Sequence, residues 1–165
     1  MSTALITGSF DPVTRGHADL ICRAARLFDR VEVVIFRNSK KTCCFSEEER
    51  LSFLRAVCHA AGKNVVCAAD GGTVADYVKA HGITVTIKGV RNAADLAYES
   101  DMAALNRLAG GGETLFFPAD PALTFCSSSA AREFLSCGLP AEALLPPAAA
   151  DAILKTYEKK HRPCV

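Results

Sequence analysis

Gly8-Ser9-Phe10-Asp11-Pro12-Val13-Thr14-Arg15-Gly16-His17 is the stretch whose reading decides the fold. Thr3-Ala4-Leu5-Ile6-Thr7 before it is short, apolar and β-prone. After it, Leu20, Ile21, Ala24, Leu27 and Phe28 recur at helical spacing. The order is therefore strand, tight loop, helix. A first strand that feeds a glycine loop and a helix N-terminus offers an anion free backbone N–H groups and the positive end of a helix dipole. The loop is neither a G-x-G-x-x-G fingerprint nor a P-loop, since no Gly-Lys-Ser/Thr follows. Gly8 allows close backbone approach, Ser9 supplies a hydroxyl just past the strand, and Asp11-Pro12 makes a turn. Thr14 can cap the helix through its side-chain oxygen. His17 then falls in the first helical turn, and Ser9 and His17 face one crevice.

Working outward, Val31–Phe36, Val65–Ala68, Ile83–Lys88 and Thr114–Phe117 read as four more strands. Helical patterns separate them: Ser46 to about Ala61, opened by a capping box; Thr73–His81, stopped at Gly82; and Asn92–Leu108, broken by Gly110-Gly111-Gly112. Ser127-Ser128-Ser129 opens a helix to about Leu135, Leu139–Pro147 is a turn or short helical piece, and a last helix covers about 149–160. The chain is expected to fray from Lys159, with 161–165 as a flexible tail. Strands alternating with helices predict an α/β, Rossmann-like doubly wound sheet of five mostly parallel strands with flanking helices. The 165 residues suit a single domain, 1–165.

Nineteen basic and eighteen acidic residues leave a net charge of +1, which gives no footprint for nucleic acid or a membrane surface. No apolar run reaches the length of a membrane span, and the N-terminus has no signal-peptide pattern. The eight cysteines form no C-x-x-C pair and fit no zinc spacing. Free thiols in the reducing cytoplasm are the plain reading, and a disulfide framework is the alternative.

In open parallel sheets ligands lie beyond the carboxyl ends of the strands. Three more polar groups fall there. After the second strand comes Lys40-Lys41, ordinarily a solvated pair, but beside phosphate an ammonium that can neutralise developing charge. After the fourth comes Lys88-Gly89-Val90-Arg91, where Arg91 can fork onto phosphate oxygens, then Asp95 and Glu99 on one helix face. Glu99 is either a solvated charge or a carboxylate aimed at ribose hydroxyls or at Arg91. After the fifth comes Thr124-Phe125-Cys126-Ser127-Ser128-Ser129, with hydroxyls and free N–H groups for an anion.

These blocks resemble the phosphopantetheine adenylyltransferases of the (T/H)-x-G-H nucleotidyltransferase superfamily. Thr14-Arg15-Gly16-His17 carries the signature, and Gly8-Ser9-Phe10-Asp11-Pro12 is close to Gly-Thr-Phe-Asp-Pro. Ser39-Lys40-Lys41, Glu48-Glu49-Arg50, Lys88–Arg91, Asp95–Glu99, Asn106-Arg107 and Cys126–Ser129 follow in the family's order and at nearly its distances. The resemblance implies transfer of an adenylyl group from ATP, with Mg²⁺, to 4′-phosphopantetheine, giving dephospho-coenzyme A and pyrophosphate.

It also implies site roles. His17 and one of Lys40 and Lys41 hold the transition-state charge. Ser9 lies between the substrates, and Ser9, Lys41, Val74 and Lys88 serve the acceptor. Ser9, Phe10, His17, Gly89, Val90, Arg91, Glu99, Leu123, Thr124, Phe125, Cys126, Ser127, Ser128 and Ser129 serve ATP. Homohexamers are implied as well. No dedicated metal ligand is assigned. The chain departs from the family pattern at Lys88, Leu123 and Cys126, where arginine, tryptophan and isoleucine are usual. The lysine segment is also one residue longer. Another adenylyl- or cytidylyltransferase of the same fold, such as a nicotinamide mononucleotide adenylyltransferase, is the nearest rival, and a non-catalytic nucleotide-binding module the next.

Overall fold

The computed structural model describes residues 2–37 and 42–161. The five apolar runs form β1 (Thr3–Gly8), β2 (Arg30–Phe36), β3 (Val65–Asp70), β4 (Val85–Val90) and β5 (Glu113–Pro118). Between and after them lie α1 (Arg15–Ala25), α2 (Glu47–Ala61), α3 (Val74–His81), α4 (Ala93–Leu108), α5 (Ser128–Ser136) and α6 (Ala150–His161). All four strand pairings are parallel, in the order β3-β2-β1-β4-β5. The chain starts in the middle of the sheet, builds outward through β2 and β3, and returns to the other flank of β1 for β4 and β5. From β1 and β4, which are neighbours, the connections leave in opposite directions. That is the switch point where such sheets bind ligands.

Alternation along β1 sorts the core onto two faces. Ala4 and Ile6 join Val31, Val33, Ile35 and Ile87 under Leu20, Ile21 and Ala24 of α1 and Phe53, Leu54 and Val57 of α2. Leu5 and Val34 face the other way, onto Tyr77, Val78 and Ile83. Burial on both faces explains why the strands read as nearly continuous apolar runs.

The element ends follow local chemistry. Ser46 caps α2 reciprocally: its hydroxyl accepts from Glu49 N–H while its own N–H donates to the Glu49 carboxylate at 2.7 Å. α3 ends on Gly82 in the left-handed conformation, φ 62°, and Ile83 N–H still bonds to Val78 O at 3.0 Å. Ile83 thus closes a helix, and β4 runs over 85–90 instead of the expected 83–88. Lys159 is helical too, because α6 continues to His161, where Lys160 Nζ reaches Cys44 O at 3.2 Å. The segment 139–147 forms turns that bury Leu144 and Leu145. The cysteines among the described residues are free thiols, which leaves the disulfide framework without support there.

Candidate active site

β1 delivers its last residue, Gly8, to the rim of a cavity of about 810 Å³ that runs along the carboxyl ends of β1 and β4. A Cβ at Gly8 would lie 3.0 Å from the Phe10 ring, so glycine is what lets Phe10 fold back over the strand end. Phe10 is 1% exposed and has φ 44°, a left-handed conformation that costs a bulky residue about 1–3 kcal/mol unless its surroundings impose it. The Asp11–Pro12 peptide that follows is cis. The Phe10 ring meets His17 edge-on, with centroids 5.0 Å apart.

Thr14 is the N-cap of α1, but its hydroxyl makes no cap bond to the helix backbone; the His17 side chain reaches back to Thr14 instead. Thr14 N–H donates to His17 Nδ1 at 3.1 Å, and the Thr14 hydroxyl lies 3.0 Å from the same nitrogen. Nδ1 is therefore an acceptor, and the neutral ring carries its proton on Nε2. Burial, and then the charge of Arg91, push the His17 pKa down to about 4. At neutral pH the residue is an uncharged donor. At Gly16 a Cβ would stand 3.3 Å from Cys126 O, so glycine lets the first turn of α1 lie against the segment that enters α5.

Lys88, on β4, pairs with Glu99 at 3.3 Å, and Arg91 pairs with Asp95 at 2.8 Å. Glu99, expected as a solvated charge or as a carboxylate aimed at ribose hydroxyls or at Arg91, meets Lys88 instead. Arg91 stands just before α4 and reaches only its first turn, whereas Lys88 lies deeper and meets the next turn. The serine run also differs in detail from a row of free hydroxyls. Ser127 Oγ caps α5 by accepting from Ala130 N–H, Ser128 Oγ donates to Pro12 O at 2.9 Å, and Ser129 Oγ accepts from Arg132. What α5 offers an anion is the N–H groups of its first turn.

Ser9, His17, Val74, Lys88, Gly89, Arg91, Glu99, Leu123, Cys126, Ser127, Ser128 and Ser129 line this one cavity. Phe10, Val90, Thr124 and Phe125 are not among its lining residues, and Phe10 is buried. Lys40 and Lys41 lie outside the described residues. The cavity also holds residues without a role in the reading above. Tyr98, Met102 and Asn106 project into it from α4 at intervals of four, a face readable from spacing alone. Arg23 has no such signal: its Nη1 donates to Pro118 O at 2.7 Å and its guanidinium covers the Phe117 ring. Among the described residues no three His, Cys, Asp or Glu gather around a point that could hold a metal ion.

The cytidylyltransferase-like family model matches residues 5–134. The phosphopantetheine adenylyltransferase of Bifidobacterium longum (strain DJO10A) is 42% identical over 165 residues, covering 97% of this chain and 99% of its own. That of Levilactobacillus brevis is 38% identical, covering 98% of this chain and all of its own length, 100%. A Plasmodium falciparum nicotinic acid mononucleotide adenylyltransferase complexed with NaAD superposes with a TM-score of 0.69 over 95% of this chain and 97% of that one. At 17% identity that likeness speaks for the fold. With near full-length kinship on one side and the switch-point cavity on the other, the chain belongs to the phosphopantetheine adenylyltransferases, within the cytidylyltransferase-like family.

Proposed function

We infer that this chain is an enzyme of coenzyme A biosynthesis, transferring the adenylyl group of ATP to 4′-phosphopantetheine to give dephospho-coenzyme A and pyrophosphate. The observation that carries this is the match, at 37–42% identity and over nearly the whole chain, to phosphopantetheine adenylyltransferases. The structural likeness to nicotinic acid mononucleotide adenylyltransferase sits at 17% identity and leaves the acceptor to the closer kin.

The acceptor is already an anion, so no covalent enzyme intermediate is required. A phosphate oxygen of 4′-phosphopantetheine attacks the α-phosphorus of ATP in line, a new P–O bond forms, and the bond to the bridging oxygen breaks as pyrophosphate leaves. The residues position the partners and steady the charge. His17 donates its Nε2 proton in a hydrogen bond to an α-phosphate oxygen. Arg91 and the first turn of α5 hold the triphosphate, while Gly89, Val90, Glu99 and the segment 123–129 shape the nucleoside end. Ser9 stands between the substrates, Lys88 meets the acceptor phosphate, and Val74 lines the pantetheine channel. Lys40 or Lys41 adds a cation from outside the described residues. Mg²⁺ brought in with ATP would supply charge neutralisation on the phosphates, and no side chain of this chain is assigned to hold it.

The whole chain works as one nucleotidyltransferase unit, because the cavity draws on elements from β1 to α5. Assembly as a homohexamer is supported by α4, which buries no residue and leaves Leu96, Leu105 and Leu108 exposed. Sedimentation should give six chains, and a monomer would refute the assembly. No helix among the described residues is long and apolar enough to cross a membrane, and a cytoplasmic location fits free thiols and a nucleotide substrate. The activity is tested by pyrophosphate release from MgATP with each acceptor in turn. Release with 4′-phosphopantetheine, and none with nicotinamide mononucleotide, is expected. Release only with the mononucleotide would favour the rival enzyme, and none with either a non-catalytic module.

A further inference from the structure

The block Glu48-Glu49-Arg50 stands out in the sequence, yet the mechanism above leaves Arg50 without a task. Arg50 belongs to the first turn of α2 and is 8% exposed. Among the described residues its guanidinium forms no ion pair. It spends its donors on two carbonyls instead: Nε on Phe45 O at 3.2 Å and Nη1 on Ser9 O at 2.7 Å. A buried cation whose hydrogen bonds go only to carbonyls is a costly way to secure a fold, since apolar residues of similar volume do so without the desolvation penalty.

What the contact achieves is direction. The Ser9–Phe10 peptide is trans and planar, the cis bond of this loop being Asp11–Pro12. With the Ser9 carbonyl drawn to Arg50, the Phe10 N–H faces the opposite way. No acceptor among the described residues takes that N–H. The Phe10 ring is buried, so the amide is the one polar donor through which Phe10 can meet a nucleotide. The left-handed φ of 44° that presents it needs an outside hold. Asp11 completes that hold: its carboxylate accepts from Cys44 N–H and Phe45 N–H, each at 2.9 Å. Segment 44–45 is thus gripped by Asp11 on its amides and by Arg50 on a carbonyl, and the Ser9–Asp11 loop is tied to it.

We propose that Arg50 is a positioning residue for adenylyl transfer: by anchoring the Ser9 carbonyl it turns the Phe10 N–H, beside His17, toward the phosphates of the nucleotide. This rests on the function proposed above. The two anchoring donors belong to one rigid plane, a fork that a lysine ammonium, a point charge on a flexible stem, does not reproduce.

The test compares Arg50→Lys and Arg50→Gln with the parent, by kinetics and by the amide resonance of Phe10 in ¹⁵N-phenylalanine-labelled protein titrated with MgATP alone. Phe10→Leu identifies the resonance. Arg50→Lys should lower kcat about tenfold and Arg50→Gln about a hundredfold, with KM for both substrates changed less than about twofold. The Phe10 amide should shift with MgATP in the parent and lose that response in Arg50→Gln. A folded variant with kcat like the parent's, a loss carried wholly by KM, or an undiminished amide response would overturn the proposal. Should Arg50→Gln fail to fold, Arg50→Lys decides by the same readouts. A parent that releases no pyrophosphate from ATP and 4′-phosphopantetheine refutes the assigned reaction instead, and the MgATP titration still judges Arg50.

Discussion

Two polar clusters sit on this sheet, one near each end of its strands, and they are built to opposite specifications. Near the amino end of β2, Glu32 is 7% exposed and accepts from Arg30 Nε at 2.8 Å, Tyr77 OH at 2.8 Å and His81 Nδ1 at 3.1 Å. Burial pushes its pKa up, but the bonds from Arg30, Tyr77 and His81 outweigh that and leave it lowered. The carboxylate is saturated, and the Tyr77 and His81 rings, 3.9 Å apart, close over it. At the carboxyl end, His17 has one nitrogen consumed by Thr14 and the other facing an open cavity. A polar cluster that satisfies itself holds the fold together. One that keeps a donor in reserve can act on something that is not yet there.

That contrast can be broken by substitution. The largest effect is expected at the open end: His17→Ala should lower kcat about 10²- to 10³-fold while ATP still binds by calorimetry, because one donor to the developing charge is lost. Near-normal turnover would place His17 with the structural residues. Gly8→Ala comes next. Its Cβ, 3.0 Å from the Phe10 ring, must displace the ring that abuts His17, and steady-state kinetics should show a loss of about 10².

A third difference is one of pH. The fold depresses the His17 pKa from 6.5 to about 4, so between those values the unfolded chain takes up a proton that the folded one refuses. His17 therefore contributes stability that is present above pH 6.5 and is lost as the pH falls toward 4. Denaturant melts of the parent should weaken over that window relative to His17→Ala, and parallel curves would contradict the shift. The smallest catalytic effect belongs to the saturated end. Glu32→Gln should cost about 1–3 kcal/mol of stability, with kcat per folded molecule unchanged. A fall in kcat there would erase the distinction between the clusters.

Much of this was legible in the sequence, and for identifiable reasons. The five strands are buried on both faces, so each shows as an apolar run, and the loop from Gly8 to His17 announces its turn and its helix start. The β4 boundary was missed because Ile83 is apolar for a different cause: it packs under α3 after the Gly82 cap. Glu99 and Asp95 share a helix face, and spacing could not say which would meet Arg91, because that depends on how far along α4 each cation stands. Arg23 and Arg50 act through backbone carbonyls of distant segments, Pro118 and Ser9, and a carbonyl carries no residue-type signal. The block containing Arg50 was visible, but its acceptor was not.

Adenylyl transfer here depends on His17 presenting a proton from a neutral ring at the rim of the sheet. Nitrogen-15 imidazole spectroscopy, with His17 identified through His17→Ala, reads this directly between pH 5 and 8. A protonated Nε2, a bare Nδ1 and no titration across that range are expected. A ring that takes up a second proton near pH 6.5, or that carries its proton on Nδ1, would contradict this.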